Sequence, residues 1–274
     1  MFKADYHVHS SQSFDADPDA DIESAVKTAA EKGIDEIALC DHYDVNWVIT
    51  GENPDVDFFE SLNQINAAKK KYADKKTNVL LGIELGQPHQ FPEKAAEVTS
   101  KNDFDFILCS LHNARGEKDF YYVDYKHTKT AALVCMFEKY TEELLELANW
   151  GNFHSLAHIT YPLRYFLLNG INIPLRKYTD LYTKLFKILI NRGIALEINT
   201  SGLRKKINQP SPSFELLKLY KDTGGELVTI GSDAHKVSDI FGGVTQACEK
   251  LSALGFKYIS TVSDKKLIQK KLER

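Results

Sequence analysis

Long apolar runs are missing from this sequence. No stretch approaches the roughly 18 consecutive apolar residues that span a bilayer, so no membrane span and no membrane partner is expected. Cysteine is scarce and scattered. Cys40, Cys109, Cys135 and Cys248 show no CxxC spacing, which offers neither a disulfide framework nor a thiolate metal motif. Cys40 and Cys109 sit in apolar, strand-like runs and read as small buried residues. Such usage suits a reducing cytosol. Met1 leads directly into a first strand with no room for a signal peptide, so a cytoplasmic location is expected. An excess of basic charge is also absent: 34 Lys and Arg stand against 38 Asp and Glu, a net charge of −4. No basic field marks out nucleic acid as a partner. Internal repeats, low-complexity tracts and linkers are lacking too. Residues 1–274 are therefore expected to form one domain, with 43% hydrophobic residues supplying a core large enough to need no covalent staples. The oligomeric state is not encoded in any pattern we can read.

What is present is a strand–helix alternation. Strands are expected at Phe2–Val8, Asp35–Cys40, Val79–Leu85, Phe104–Leu111, Phe153–Ala157, Ile194–Ile198 and Leu227–Ile230, with Tyr258–Ile259 as a short eighth. Helices are expected from Asp21 as N-cap to Lys32, then over Phe58–Ala73, Pro92–Ser100, Thr130–Trp150, Arg176–Arg192, Pro212–Thr223 and residues 246–255. Long loops are expected at Ala114–His127 and after Tyr161, and a charged helix at the tail. This order is the signature of parallel βα units, and it predicts an α/β barrel. A flat doubly wound sheet is the rival, but it would spread its strand ends along a line instead of a ring.

Chemistry-bearing residues recur at strand ends. His7 and His9 share a face at the end of the first strand, because side chains alternate with period two. His42, Glu84, His112, His158, Asp233 and His235 follow or end later strands, and Asp15 and Asp41 lie beside them. Six of the nine histidines would thus converge at the C-terminal face of a barrel. His89 and His127 fall in polar loops and read as solvated, and His154 reads as structural. Glu84 ends an otherwise apolar strand, where an unpaired carboxylate would be costly. Mixed imidazole and carboxylate without thiolate suits zinc, manganese or iron. Nine candidate ligands exceed one tetrahedral site, so a multinuclear centre is expected, with Glu84 suited to bridge two ions.

The motifs HVHS at 7–10, DHYD at 41–44, GIELG at 82–86, SLHN at 110–113, AHIT at 157–160, EINTSGLRK at 197–205 and GSDAH at 231–235 resemble, in order, those of the PHP (polymerase and histidinol phosphatase) family, in particular its stand-alone histidinol-phosphatase branch. The resemblance implies a distorted TIM-like (β/α)7 barrel with three divalent metal ions. It implies that His7, His9, Glu84 and Asp233 hold the first ion, that Glu84 bridges to a second held by His112 and His158, and that Asp15, His42 and His235 hold the third. Of these, His42, Glu84 and Asp233 are also the candidates for catalytic roles. Asp41 is expected to orient a ligand imidazole. The implied activity is hydrolysis of a small phosphate monoester, L-histidinol phosphate first, by metal-activated hydroxide. Another phosphorylated metabolite, a nucleotide or an oligonucleotide end is the alternative. Arg204 and Arg164 are the candidate phosphate partners, because a guanidinium fork matches phosphate oxygens. Asn199 and Arg115 complete the expected substrate contacts. An amidohydrolase-type barrel also begins with HxH, but it would need a bridging lysine where this sequence has His112-Asn113.

Overall fold

The computed structural model describes residues 2–46 and 56–272. Seven parallel strands follow one another around the sheet in chain order: β1 Ala4–Val8, β2 Glu36–Asp44, β3 Asn78–Gly86, β4 Phe106–Ser110, β5 Ser155–Leu156, β6 Ala195–Asn199 and β7 Val228–Gly231. The last strand returns to the first. Val8 bridges to Ala234 in parallel, the Asp233 N–H donates to the His7 carbonyl at 2.7 Å, and the His9 N–H donates to the Ala234 carbonyl at 2.9 Å. The side chain of Asp5 adds two further ties, accepting from the Ser232 and Phe241 N–H groups at 2.8 and 2.7 Å. The sheet is therefore a nearly closed barrel, and the flat doubly wound alternative falls away.

Among the described residues the helices are α1 Ile22–Glu31, α2 Phe58–Lys71, α3 Pro92–Lys101, α4 Thr130–Trp150, α5 Tyr161–Leu168, α6 Thr179–Arg192, α7 Phe214–Asp222 and α8 Val244–Ala253. Their ends follow local chemistry. Asp21 caps α1 by accepting from the Ser24 N–H, and Gly193 ends α6 in the left-handed conformation that glycine adopts without penalty. The strands read as apolar because both faces are covered: helices pack outside, and side chains fill the inside. None of the described helices is long and apolar enough to cross a membrane.

Two expectations fail. Residues after Tyr161 are not a loop but α5, whose Pro162 occupies the first helical turn, where a missing N–H costs nothing. The tail is not a charged helix. Tyr258–Ser263 (β8) and Lys266–Lys271 (β9) form an antiparallel hairpin separate from the barrel sheet. Its turn residues Asp264 and Lys265 both have positive φ, the geometry whose twist matches two-residue hairpins. Its lysines fall in two adjacent pairs, Lys265-Lys266 at the turn and Lys270-Lys271 at the end of β9.

One of the ties between the hairpin and the barrel runs through a buried hydroxyl. Tyr6 on β1 donates to Glu36 on β2 and accepts from the Val262 N–H of β8 at 2.7 Å. Tyr6→Phe leaves both partners without their bond in a buried setting. We expect it to lower unfolding free energy by about 1–3 kcal/mol, read as a reduced urea midpoint with an unchanged m-value. A midpoint equal to wild type would show that the tie does not matter.

Candidate metal centre

Parallel register brings the ligand-capable side chains together. His42 on β2 and Glu84 on β3 are register partners, so their side chains leave adjacent strands side by side. In β1 the pairing slips by one residue between Asp5 and Val8, a bulge that re-aims the chain just where His7 lies. His112 and His158 follow the last residues of β4 and β5 by two positions, and Asp233 follows β7 by two. All of them reach the same mouth of the barrel.

Glu84 is the hub, with none of its surface exposed. Its Oε2 lies 2.8 Å from His42 Nδ1, 3.3 Å from His7 Nε2 and 3.5 Å from His9 Nε2. Its Oε1 lies 3.2 Å from His112 Nε2 and 2.9 Å from His158 Nε2. Asp233 Oδ1 stands 3.6 Å from His9 Nε2 and 3.4 Å from His235 Nδ1. Asp15 closes the array from its loop, 3.1 Å from His235 and 3.6 Å from His42. The nine residues expected from the sequence as ligands are thus brought to one place. Four overlapping triads have donor atoms within 4.8 Å of one another: His7, His9 and Asp233; His7, Glu84 and His158; His42, Glu84 and His112; and His9, His42 and His235.

The donor set fits divalent metal ions. His7 Nε2 and His9 Nε2 are only 3.0 Å apart and face the same carboxylates. Glu84 Oε2 and His235 Nε2 are buried without a hydrogen bond among the described residues. Lone pairs converging so closely need a cation between them. The same crowding of carboxylates favours the protonated form of His7 and His42. Burial opposes it, yet Glu197 and Glu84 hold His7 well above the usual range, and Glu84 and Asp15 do the same for His42. Burial alone would raise the Glu84 carboxyl, but His42, His7 and His112 outweigh it and keep it well below the usual carboxylate range. His9 goes the other way, pushed down by burial and by His235 and His42 nearby.

Several supporting residues had no role in the sequence reading. Glu197 on β6 accepts from His7 Nδ1 at 2.6 Å, and its other oxygen takes the His158 N–H at 2.9 Å. It thereby fixes the ring of His7 and holds His158 in a left-handed backbone conformation, φ +21°. Gly231 makes room for this pair. A Cβ there would stand 2.3 Å from His7 Cβ and 2.6 Å from Glu197 Oε1. Asp44 pairs with His112 Nδ1 at 3.1 Å. Both acids lay within quoted motifs, but a carboxylate inside a strand does not announce its partner. Among the described residues Asp41 makes no hydrogen bond to a ring nitrogen. It accepts from Ser10 and Ser13, and the Ser13 hydroxyl is the group 3.0 Å from His9 Nδ1.

The substrate-side expectations divide. A cavity of about 870 Å³ opens over the centre, and Arg164 and Arg204 both line it. Arg164 Nη2 lies 2.7 Å from Ser201 Oγ and 2.9 Å from Asp233 Oδ2. Arg204 donates to the Ser232 and Gly242 carbonyls at 2.7 and 3.1 Å, bracing the turn that carries Asp233. Arg115 and Asn199 are not among the described residues that line this cavity. Arg115 is exposed and turns toward Glu146 on α4, because its N–H is anchored to Glu143. Asn199 is buried and folded back on its own turn, its Oδ1 accepting from the Ser201 N–H and hydroxyl. Two other histidines also resolve. His89 is not solvated but buried against Glu143 at 2.8 Å. His154 is structural, accepting from the Ile107 N–H and meeting the Lys265 carbonyl of the hairpin.

A parallel barrel of seven strands, with imidazoles and carboxylates converging at its C-terminal mouth, defines a class of metal-dependent barrel proteins. Within that class the PHP domain matches residues 5–201, and the chain belongs to the PHP family. It is 32% identical to a probable histidinol-phosphatase of Clostridium acetobutylicum over 84% of this chain and 86% of that one. It is 28% identical to a probable histidinol-phosphatase of Thermotoga maritima over 98% and 99% of the two chains. The crystal structure of histidinol phosphate phosphatase from Lactococcus lactis, complexed with zinc, L-histidinol and phosphate, superimposes with a TM-score of 0.83. It covers 97% of this chain and 99% of that one at 23% identity, a likeness of fold.

Two substitutions test the centre. Glu84→Gln keeps the shape of the hub but removes its charge, and metal content measured by elemental analysis should fall together with turnover. Glu197→Gln should leave the ligands in place but release the His7 ring. About 10–100-fold weaker metal retention is expected in competition with a chromogenic chelator. Wild-type metal binding in either variant would remove that residue from the centre.

Proposed function

We propose that this protein is a histidinol-phosphatase, hydrolysing L-histidinol phosphate to L-histidinol and phosphate. The observation that carries the reading is the division of Glu84: one oxygen faces His112 and His158, and the other faces His7, His9 and His42. A carboxylate so shared is suited to bridge two ions. In this reading His7, His9, Glu84 and Asp233 would hold one ion, Glu84, His112 and His158 a second, and Asp15, His42 and His235 a third. Zinc, manganese or iron suits these donors. When bound, such ions neutralise phosphate charge and make hydroxide available near neutral pH. The names of the full-length relatives support the substrate.

The chain's own residues supply position. Glu197 and Asp44 fix the rings of His7 and His112, so their Nε2 atoms point inward without a search among rotamers. Asp233 carries a double duty. Its Oδ1 faces the imidazoles, and its Oδ2 holds the Arg164 guanidinium on the cavity wall. Arg164 can then present its remaining N–H groups to the phosphate, a geometry a lysine would not reproduce. Arg204 keeps the Ser232–Asp233 turn from moving away.

Phosphate release should be followed for metal-loaded protein with L-histidinol phosphate, 4-nitrophenyl phosphate and a nucleotide. We expect kcat/KM for L-histidinol phosphate to exceed the other two by about 10²–10³-fold, or ~3–4 kcal/mol, and a chelator to abolish all three activities. Even, slow hydrolysis of all three would leave a phosphoesterase without this substrate. Activity that survives metal removal would overturn the mechanism.

A further inference from the structure

The carboxylates on the cavity wall are matched by cations, with one exception. Asp15 faces His235, Asp44 faces His112, Glu84 faces the imidazoles around it, Asp233 holds Arg164, and Asp239 lies 3.6 Å from Arg204. Asp119 lines the same cavity, and among the described residues no lysine, arginine or histidine forms an ion pair with it. Its Oδ1 is occupied, accepting from the Tyr121 N–H at 2.7 Å and the Tyr161 hydroxyl at 2.9 Å. That suffices to cap the short turn Phe120–Tyr122. Oδ2 receives no hydrogen bond from the described residues. Burial pushes this carboxyl up from its ordinary value, against the opposing pull of the His112 imidazole and of the Tyr121 N–H.

The surroundings of Asp119 are aromatic. Tyr121, Tyr161 and Tyr165 line the cavity beside it, and the Tyr165 hydroxyl donates to that of Tyr161 at 2.9 Å. The Tyr161 ring lies 5.2 Å from that of His112 and 5.3 Å from that of His158, so Asp119 stands one ring away from the metal centre. Arg204 sits around Asp233 instead, and Arg164 stands between the two sides, bonded to Asp233 at 2.9 Å with its guanidinium 5.6 Å from the Tyr161 ring centroid. The cavity therefore has a side that favours anions and a side that combines tyrosine faces with an unmatched carboxylate.

We infer that Asp119 is a subsite for a cationic nitrogen of the substrate, its ammonium or its protonated imidazole, held against the tyrosine wall. The inference rests on the proposed function, since it names how that substrate would be read. A cation there neutralises the unmatched charge, gains a charge-assisted hydrogen bond to Oδ2, and lies against ring faces that attract it. A neutral alcohol esterified to phosphate has nothing to place there. The subsite therefore discriminates among phosphate monoesters instead of accelerating all of them.

The experiment compares L-histidinol phosphate with 4-nitrophenyl phosphate on wild type and Asp119→Asn, a variant whose Oδ1 can still accept from Tyr121 and Tyr161. We expect kcat/KM for L-histidinol phosphate to fall at least tenfold more than that for the aryl ester, mainly through KM. Asp119→Glu should restore part of the difference. Equal losses on both esters would overturn the subsite and leave a structural cap. A preference for L-histidinol phosphate that survives Asp119→Asn would overturn the subsite alone, whereas wild type showing no such preference would overturn the proposed function and the subsite with it. A measurement on wild type needs no variant to fold: propyl phosphate, which lacks both cationic nitrogens, should be hydrolysed with kcat/KM at least tenfold below that of L-histidinol phosphate. Equal values would overturn the inference.

Discussion

A single carboxylate, Glu84, is sealed from solvent at the mouth of the barrel with five imidazoles turned toward its two oxygens. A buried charge costs several kcal/mol unless it is compensated, and this one cannot be compensated by any one neighbour. The compensation comes from four other strands, which carry or precede His7, His42, His112 and His158. Two of those rings are then positioned by a further carboxylate, His7 by Glu197 and His112 by Asp44. The structure around the mouth follows from the need to keep that carboxylate ionised and surrounded.

Closure of the barrel is what makes such an arrangement possible. His7 lies on the first strand of the barrel and Asp233 two residues past the seventh, and they meet only because β7 returns to β1. The return is narrow, and the Asp5 side chain reinforces it where backbone rungs run out. Small residues matter at this seam: Gly231 lies against His7 and Glu197, and a single methyl group would push them apart. Positive φ at His158 and Asp233 belongs to the same region, held by Glu197 in one case and by the His7 carbonyl in the other. Conformational strain sits where the chain must turn its ligand-capable side chains inward.

Above the centre the charge is unevenly distributed. Arg164 and Arg204 are both fastened to the Asp233 turn, one through the carboxylate and one through backbone carbonyls. A different character appears at Asp119, which is met by the Tyr161 hydroxyl and forms no ion pair with a described lysine, arginine or histidine, while Arg164 lies over the far side of that tyrosine wall at the Tyr161 ring. The two arginines are thus physically coupled to the metal-capable residues, while the acidic, aromatic wall stands one residue removed from them. An 870 Å³ cavity is large enough to hold a small phosphorylated molecule across both sides.

Much of this was legible in the sequence, because barrel strands carry their chemistry at a fixed place. Apolar runs repeated seven times among helical segments, six of them ended by histidine or acid, imply parallel strands with converging ends, and the motifs around His7, His42, Glu84, His112, His158, Asp233 and His235 declare the family. Local chemistry also set helix ends such as Asp21 and Gly193. Where the sequence misled, the deciding contacts were distant. The lysine-rich tail is a hairpin because Tyr6 and His154 receive it, and His89 is buried because Glu143 on α4 meets it. Arg115 and Asn199 stand near strand ends yet face elsewhere, since a side chain's direction depends on the turn that carries it. Residue type and spacing determined the fold and which groups could bind metal. Only the tertiary structure decided which acid orients which ring, and which carboxylate has no cation to face, because those pairings join residues up to 190 positions apart.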